Sequence, residues 1–426
     1  AKQDGFKSQW GFIMAAVGSC VGMANVWRFP MLVSRYGGLT FLIPYFIFVF
    51  VISQSGMMEE FSLGRWAGYG PVGSFGKAME DGGKSKKVGE LIGGVPVFAS
   101  LCLGIGYSVI MGWVFYYAKM ALTGELVAMG NDMSVIGGTF GAVAPEASSL
   151  PEAIKMTFET GGANIILAIA ASFLIMILGV AGGIEKSCKV MIPALYVLFI
   201  ALAIMMPFVP GSSEGYKYIF SLDPRGLLDV NVWVFAFGQC FFSLSVAGSG
   251  SVIYGSYLGK DVKIRQSAIL CALFDTSAAL LAMFIVIPAM ATTGADLGNG
   301  GPGLMFIYLI PVFNNMGGIA RIMFIFFYVA VLFAGVSGET AIQPCNGHCC
   351  DPHCRRGGSF DDPALDLSVD GHGIYLPLPL GCAYRRYHVL LDHEEGHRSG
   401  GRAGGRSEAR HELVPPLRQV CICTSV

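Results

Sequence analysis

The sequence predicts an all-α polytopic membrane protein, and three observations support this prediction. Only 13% of the 426 residues are charged and 54% are hydrophobic, whereas a soluble domain carries about 25% charged residues. Apolar stretches of about 20 residues, the length that crosses the hydrocarbon core of a bilayer, recur along the chain. The segments that connect these stretches alternate between basic and acidic. We find no nucleotide-binding loop and no nucleophile–base pair, so we expect neither an enzyme nor a nucleic-acid partner.

Eight spans are predicted from the apolar stretches, at residues 9–34, 39–63, 94–121, 162–184, 188–210, 230–256, 266–291 and 319–343. The connecting segments 65–90, 185–189 and 257–265 are basic, whereas 123–160 is acidic. Basic loops remain on the cytoplasmic side of a membrane. We therefore expect a multi-pass protein of the cell (inner) membrane whose N-terminus is cytoplasmic.

Two of these spans contain residues that weaken a helix. The first includes "VGSCVGMANVWRFP", residues 17–30, and the sixth includes "FFSLSVAGSGSVIYGSY", residues 241–257. The two spans stand five apart, which suggests two five-span repeats that each open with a broken helix. Interrupted helices at corresponding positions of two halves indicate the binding site of a transporter. For the first span alone, close helix packing at Gly18 and Gly22 is an alternative explanation.

A helix that breaks inside a membrane leaves backbone groups free to bind a ligand. Free carbonyls offer oxygen ligands to a cation, and free N–H groups at the start of a half-helix favour an anion such as a carboxylate. Asp275 lies within the seventh apolar stretch, and acids inside spans usually serve ion or substrate pathways. The sequence therefore predicts a cation and a carboxylate bound side by side.

Several motifs together resemble one family of transporters. These are "GFIMAAVGSCVGMANVWRFP", "GGLTFLIPY", "EEFSLGR", "GYSVIMGW", "FFSLSVAGSGSVIYGSY" and "GGPGLMFIYLIP". In this order they resemble the bacterial amino-acid transporter branch of the neurotransmitter:sodium symporter family, over residues 6 to about 343. The resemblance implies an inverted-repeat transporter fold of twelve spans with broken helices 1 and 6, and import of an amino acid driven by sodium ions.

The resemblance also implies site residues at the matching positions. The implied sodium ligands are the carbonyls of Gly18, Cys20, Val21 and Ala334 and the side chains of Asn25, Ser243, Asp275 and Ser337. The substrate carboxylate would meet the amides of Met23 and Ala24 and the hydroxyl of Tyr107. Phe242 matches an aromatic lid and Arg28 an outer gate. The implied walls of the side-chain pocket are Leu103, Ser245, Gly248 and Ile342.

The chloride site of the family is altered in this sequence. Tyr45, Gln239 and Ser243 match it, but Ala279 stands where chloride-dependent members have serine. Asp275 stands where the family usually has asparagine. Our hypothesis is that Asp275 supplies the negative charge that chloride would bring, so that chloride is not required.

Four glycine or serine positions bear on substrate and sodium. Gly22 occupies the place of an aspartate in monoamine carriers, so we expect the substrate to keep its carboxylate. Gly248 leaves room for a large apolar or aromatic side chain. At the second sodium site Ser337 matches the family, but Gly338 replaces a usual hydroxyl.

The composition changes abruptly after Pro344. All seven His follow this residue, whereas no Lys does. We predict a transmembrane domain over 1–344, with eight spans of an expected twelve and truncated in the eighth, and a low-complexity tail over 345–426 that is disordered or translated out of frame. The segment "CNGHCCDPHC" leaves open a zinc-binding tail. The alternatives to a transporter are therefore an inactive remnant or a membrane sensor with a metal-binding tail. The sequence leaves the oligomeric state open.

Overall fold

The computed structural model describes residues 8–144, 150–178, 180–259, 262–298 and 303–347, and every regular element in these ranges is a helix. In the first part of the chain the helices are α1 Gln9–Cys20, α2 Phe29–Tyr36, α3 Gly38–Gln54, α4 Gly56–Ala67, α5 Pro71–Asp81, α6 Lys86–Thr123, α7 Glu125–Ala128, α8 Met133–Val143 and α9 Leu150–Ile177. They are followed by α10 Glu185–Met205, α11 Ser212–Ile219, α12 Val230–Ser243, α13 Gly250–Ser256, α14 Ile264–Thr292, α15 Leu304–Ile307, α16 Leu309–Asn314 and α17 Ala320–Gly347.

The predicted spans coincide with these helices. Within the described ranges, five segments are each long and apolar enough to cross a membrane: Gly38–Ala67, Lys86–Thr123, Gly182–Phe208, Ile264–Thr292 and Gly317–Thr340. The first predicted span is a bent pair, Gln9–Cys20 and Asn25–Tyr36, whose halves meet at 51°. The fourth and sixth predicted spans contain the shorter apolar helices Gly162–Ile177 and Val230–Ser243. The all-α membrane fold is thus confirmed, whereas the inverted symmetry of two repeats stays a prediction.

Both broken spans begin at a side-chain cap. The Oγ of Ser8 accepts a hydrogen bond from the N–H of Gly11 at 2.9 Å, and Asp229 accepts one from the N–H of Asn231 at 2.9 Å. Such caps satisfy N–H groups that the first turn leaves unpaired. Each span therefore has a defined start, and its interruption lies farther along.

The first span loses α-helical geometry after Cys20. Residues Ala24–Arg28 form a π-helical turn that leads into α2. The second interruption lies between α12 and α13. There Ser245, Ala247 and Ser249 have positive φ angles of 54°, 59° and 67°. Both breaks predicted from glycine and serine content are therefore present.

The helices α14 and α17 form the interior of the bundle. In each, 56% of the most apolar 18-residue window is buried, against 28% in Lys86–Thr123. The helix α14 contacts α1, α2 and the π-helical turn of the first span, and α17 contacts α1, α6, α9 and α10. The first break therefore lies between the two inner helices.

The start of α1 is fastened to the start of α10. Glu185 is buried, and its Oε1 accepts hydrogen bonds from Lys189 at 2.6 Å and from Ser8 at 3.5 Å. A Cβ at Gly11 would collide with the Glu185 carboxylate, so only glycine allows this approach. A second π-helical turn, Val180–Ile184, immediately precedes Glu185.

The predicted tail lies almost wholly outside the described residues. The helix α17 continues to Gly347, and the Cys/His segment that suggested zinc binding contributes no described side chain. Among the described residues, no group of three or more His, Cys, Asp or Glu could hold a metal ion. The boundary at residue 344 and the nature of 345–426 stay predictions.

Candidate functional site

The side chain of Asn25 joins the first broken span to the seventh predicted span. Its Nδ2 donates to Oδ1 of Asp275 at 2.7 Å and to the backbone carbonyl of Asp275 at 2.8 Å. Ser243, the last residue of α12, donates to Oδ2 of Asp275 at 2.7 Å. All three side chains are fully buried. The structure thus brings together three of the predicted sodium ligands, one from each of three elements.

One oxygen of this cluster has no hydrogen-bond partner in the described part of the chain. Among the described residues, the buried Oδ1 of Asn25 makes no hydrogen bond, and an unsatisfied buried polar atom costs about 1–3 kcal/mol. Hard cations take oxygen ligands, and the Asp275 carboxylate adds negative charge beside the free oxygen. These groups fit a dehydrated cation such as sodium.

Backbone carbonyls at the end of α1 lie at the first break. The last carbonyls of a helix have no partner in a following turn. Here the carbonyl of Val17 accepts from the N–H of Val21 at 2.6 Å, and that of Ser19 accepts from Ser245 Oγ at 3.1 Å. The resemblance implied the carbonyls of Gly18, Cys20 and Val21 as sodium ligands. These three residues belong to the same stretch of chain, residues 17–21.

The predicted second sodium site joins α1 to α17. A Cβ at Gly18 would lie 3.4 Å from the Cβ of Ser337, so the two positions face each other. The Ser337 hydroxyl donates to the carbonyl of Ala334 at 3.0 Å. The two predicted α17 ligands are therefore engaged with each other, and Ser337 lies opposite Gly18.

The predicted carboxylate site is formed by the first break and α6. The hydroxyl of Tyr107 lies 3.2 Å from the backbone N of Met23 and accepts its hydrogen. A Cβ at Gly22 would lie 2.8 Å from this hydroxyl oxygen, and a Cβ at Gly338 would collide with it. Gly22 and Gly338 thus provide the space that the Tyr107 hydroxyl occupies. Ala24 follows in the π-helical turn.

Arg28 lies over the predicted lid. Its guanidinium carbon is 5.0 Å from the ring centroid of Phe242, and its Nη1 donates to Gln239 Oε1 at 2.9 Å. The structure therefore brings the predicted gate and lid into contact, and it places a residue of the predicted chloride site beside them.

The predicted pocket walls lie along the second break and α6. Ser245 and Gly248 are in the interruption after α12, and the Gly248 carbonyl accepts a hydrogen bond from Ser100 at 2.6 Å. Leu103 is half-buried on α6. Ile342 lies on α17, and its side chain is outside the described set.

The altered chloride site lies next to Asp275. The buried hydroxyls of Tyr45 and Thr276 have no hydrogen-bond partner among the described residues. Tyr45 interacts electrostatically with the Asp275 carboxylate, and Ala279 is fully buried on the same helix. The Asp275 carboxyl group is therefore close to residues of the predicted chloride site.

Sequence reasoning assigned no role to three polar residues. Glu60 accepts a hydrogen bond from the N–H of Ala247 at 2.7 Å and so supports the second break. Thr276 directly follows Asp275. Glu339 is a buried acid on α17 that accepts from two serines. An acid inside an apolar span is a signal that could have identified Glu339.

Two interrupted spans whose polar groups meet inside a helical bundle are typical of secondary transporters. Comparison with known families makes the assignment more specific, because the model of the sodium:neurotransmitter symporter family matches residues 3–136 and 149–345. The chain belongs to the sodium:neurotransmitter symporter family, which is a family of transporters and not of enzymes. This confirms the resemblance noted in the sequence.

Curated relatives and a solved structure agree with the assignment. An uncharacterized sodium-dependent transporter of Methanocaldococcus jannaschii is 29% identical over 352 residues, which are 80% of this chain and 68% of that protein. The uncharacterized sodium-dependent transporter YhdH of Bacillus subtilis is 30% identical over 335 residues, 78% of this chain and 68% of that protein. The crystal structure of MhsT in complex with L-phenylalanine is 32% identical with a TM-score of 0.72, covering 81% of this chain and 74% of that chain.

Proposed function

We propose that this protein is a sodium symporter that imports an amino acid with a large apolar or aromatic side chain across the inner membrane. The observation that carries the proposal is the buried cluster of Asn25, Ser243 and Asp275, with the Asn25 Oδ1 unpaired. Asn25 lies on the same interrupted span as the Met23 amide, which meets the Tyr107 hydroxyl. The first interrupted span would thus contribute groups to both the cation site and the carboxylate site, and Ser243 of α12 and Asp275 of α14 would complete the cation site.

Sodium would be held by oxygen atoms from both inner helices. Asn25, Ser243 and Asp275 with the Cys20 carbonyl would form one site, and the carbonyls of Gly18, Val21 and Ala334 with Ser337 the other. The first set already contains a carboxylate, whereas the second contains only neutral oxygens. We therefore infer tighter sodium binding at the first set.

The amino-acid carboxylate would bind the amides of Met23 and Ala24 and the Tyr107 hydroxyl. To do so it must replace the present contact between Tyr107 and the Met23 N–H. The N–H groups that begin a half-helix favour negative charge. The L-phenylalanine bound to MhsT supports an aromatic substrate, and Gly248 adds no side chain to the pocket.

Transport would be independent of chloride. Asp275 lies close enough to Tyr45 to interact with it, and its carboxylate would supply the negative charge that chloride would otherwise bring. The N-terminus and the basic loops would lie in the cytoplasm, as the positive-inside rule predicts.

The experiment is binding of radiolabelled phenylalanine to the purified full chain in sodium or potassium buffer, with chloride or gluconate as the anion. We expect binding that needs sodium and is unchanged in gluconate. Unlabelled phenylalanine should compete, whereas phenethylamine, which lacks only the carboxylate, should not. In Asp275→Asn we expect the remaining binding to require chloride. Loss of wild-type binding in gluconate, or equal binding in potassium, would refute this proposal.

A further inference from the structure

A surface cavity lies at the start of α14, and the proposed sodium and substrate sites do not use it. Its volume is about 410 Å³, and it is lined by Lys263, Arg265, Gln266, Ile269 and Leu270. The first three side chains are exposed, and the last two are half-buried. The lining thus combines two cations and an amide with an apolar pair about one turn farther along the helix. Such a lining suits a ligand with a charged end and an apolar end.

The two cationic side chains of this cavity are not neutralised by an acid in the described part of the chain. Lys263 and Arg265 take part in no ion pair there, and the first turn of α14 contains no acidic residue. The positive-inside rule accounts for basic residues in this connection, but it does not require them to share a cavity with apolar side chains. The cavity is therefore complementary to an anionic group.

An apolar stripe continues from the cavity along α14. Ile269, Leu270 and Leu273 recur at the spacing of one helix face, and Leu273 is 61% exposed. Cys271 and Asp275, on the other side of the helix, are fully buried. The stripe therefore points away from the bundle, toward the acyl chains of a surrounding bilayer.

The chain just before the cavity is fixed to the end of α4. The Nη1 of Arg65 donates a hydrogen bond to the carbonyl of Val262 at 2.9 Å, and Val262 immediately precedes Lys263. Next to Arg65, Trp66 is 49% exposed, and the Nζ of Lys77 lies 4.5 Å from the centroid of its ring. Exposed tryptophan and lysine side chains are typical of the boundary between membrane and water. The start of α14 is therefore expected at the depth of the lipid headgroups.

We propose that this cavity binds an anionic phospholipid, with the phosphate on Lys263 and Arg265 and an acyl chain along the apolar stripe. A guanidinium pairs with two phosphate oxygens at once, and a lysine adds a point charge. The amide of Gln266 can donate to a further oxygen of the headgroup. The cations select an anionic lipid over a zwitterionic one, and the apolar side chains select a lipid over a soluble phosphate.

Mass spectrometry of the intact full chain, released from detergent micelles, tests the site without any need for transport. The probes are phosphatidylglycerol and phosphatidylcholine with identical oleoyl chains. We expect the wild type to bind phosphatidylglycerol more tightly than phosphatidylcholine. In Lys263→Gln/Arg265→Gln the affinity for phosphatidylglycerol should fall about thirtyfold, because each basic residue near an anionic membrane surface contributes a factor of about five. The affinity for phosphatidylcholine should stay the same.

Two further variants separate this cavity from a general effect of charge. Lys84→Gln/Lys87→Gln removes two exposed cations where α5 connects to α6, and it should bind phosphatidylglycerol as the wild type does. Lys263→Arg/Arg265→Lys keeps both charges of the cavity and should keep most of the preference for phosphatidylglycerol. An equal loss of affinity in the two glutamine variants would assign the preference to net charge and would overturn the site.

Other occupants of the cavity would give other results. Glycerol phosphate carries a charged headgroup without acyl chains, and an excess of it should leave phosphatidylglycerol bound. Displacement of the lipid would indicate a site for a soluble phosphate and would overturn the proposal. A dimer that dissociates in Lys263→Gln/Arg265→Gln, with lipid binding unchanged, would assign the cavity to a second copy of the chain and would also overturn it. These measurements need neither sodium nor an amino acid, so a failure of the proposed function would leave their outcome unaffected.

Discussion

The two breaks in the membrane helices differ in what keeps the chain out of helical geometry. In the first, the small residue Gly22 admits the Tyr107 hydroxyl, and a Cβ there would lie 2.8 Å from it. In the second, Ser245, Ala247 and Ser249 carry side chains and still have positive φ. Such residues cost roughly 1–2 kcal/mol each.

The supports of the second break come from other helices. Glu60 accepts the Ala247 N–H, Ser100 donates to the Gly248 carbonyl, and Ser245 donates to the Ser19 carbonyl. The first break is therefore shaped by missing side chains that let ligands and partners approach. The second is held in a costly conformation by its neighbours. We therefore expect an added side chain to lower stability at the first break, and a removed side chain to raise it at the second.

The largest effect is expected at the ligand cluster of the first break. Asn25→Ala removes the donor to Asp275 and leaves a buried carboxylate with one hydrogen bond fewer, at a cost of about 1–3 kcal/mol. It also removes the unpaired oxygen, so stabilisation by sodium should vanish. The measurement is the thermal unfolding temperature in sodium and in potassium. The control is Asn231→Ala, at the exposed start of α12, which sodium should stabilise as much as it does the wild type. If sodium also stabilised Asn25→Ala as much as the wild type, the proposed site would be refuted.

A smaller effect is expected where the first break approaches α6. Gly22→Ala places a methyl group against the Tyr107 hydroxyl, and overpacking typically costs about 1–3 kcal/mol. The affinity for phenylalanine should fall by the factor that corresponds to this cost in free energy. The double variant with Tyr107→Phe should recover stability but not affinity, because the carboxylate has then lost its hydroxyl partner.

The control for this substitution is Gly238→Ala on α12, where nothing lies within 4 Å of the added methyl. It should leave affinity unchanged. Full recovery of affinity in the double variant would show that the Tyr107 hydroxyl does not contact the substrate.

The smallest effect is expected at the second break, and its sign is reversed. Ala247→Gly relieves the strain of a positive φ of 59°. The free energy of unfolding should therefore rise by about 1 kcal/mol, reduced by the larger conformational entropy that glycine has in the unfolded chain. Ala236→Gly, inside α12, should lower it by about 1 kcal/mol. The measurement is denaturant unfolding in detergent. A loss of stability in Ala247→Gly as large as that in Ala236→Gly would show that the second break is not strained.

The sequence predicted the helices and the breaks because these depend on local composition. Apolar runs of span length located the helices, and the Gly and Ser content located both interruptions. The contact between Asn25 and Asp275 joins residues that are 250 positions apart. No local pattern encodes such a pairing, and the family resemblance supplied it.

Other parts of the site escaped prediction for physical reasons. Glu339 is paired by Ser108 and Ser172, which are separated from it by 231 and 167 positions. The support of the second break by Glu60 follows from the packing of α4 against α13. Positive φ at three residues other than glycine runs against local preference, so it could be found only in the folded chain.

The hydrogen bond between Ser8 and Glu185 makes the start of α1 sensitive to a rotation at the break. The 12 residues of α1 form a rod of about 18 Å at 1.5 Å per residue, with the break at one end and Ser8 at the other. A rotation of about 10° at the break would move the far end of such a rod by about 3 Å. The hydrogen bond from Ser8 to Glu185, 3.5 Å long, would not survive that displacement. A small angular change at the ligand end of α1 is therefore converted into the loss of a contact at its other end.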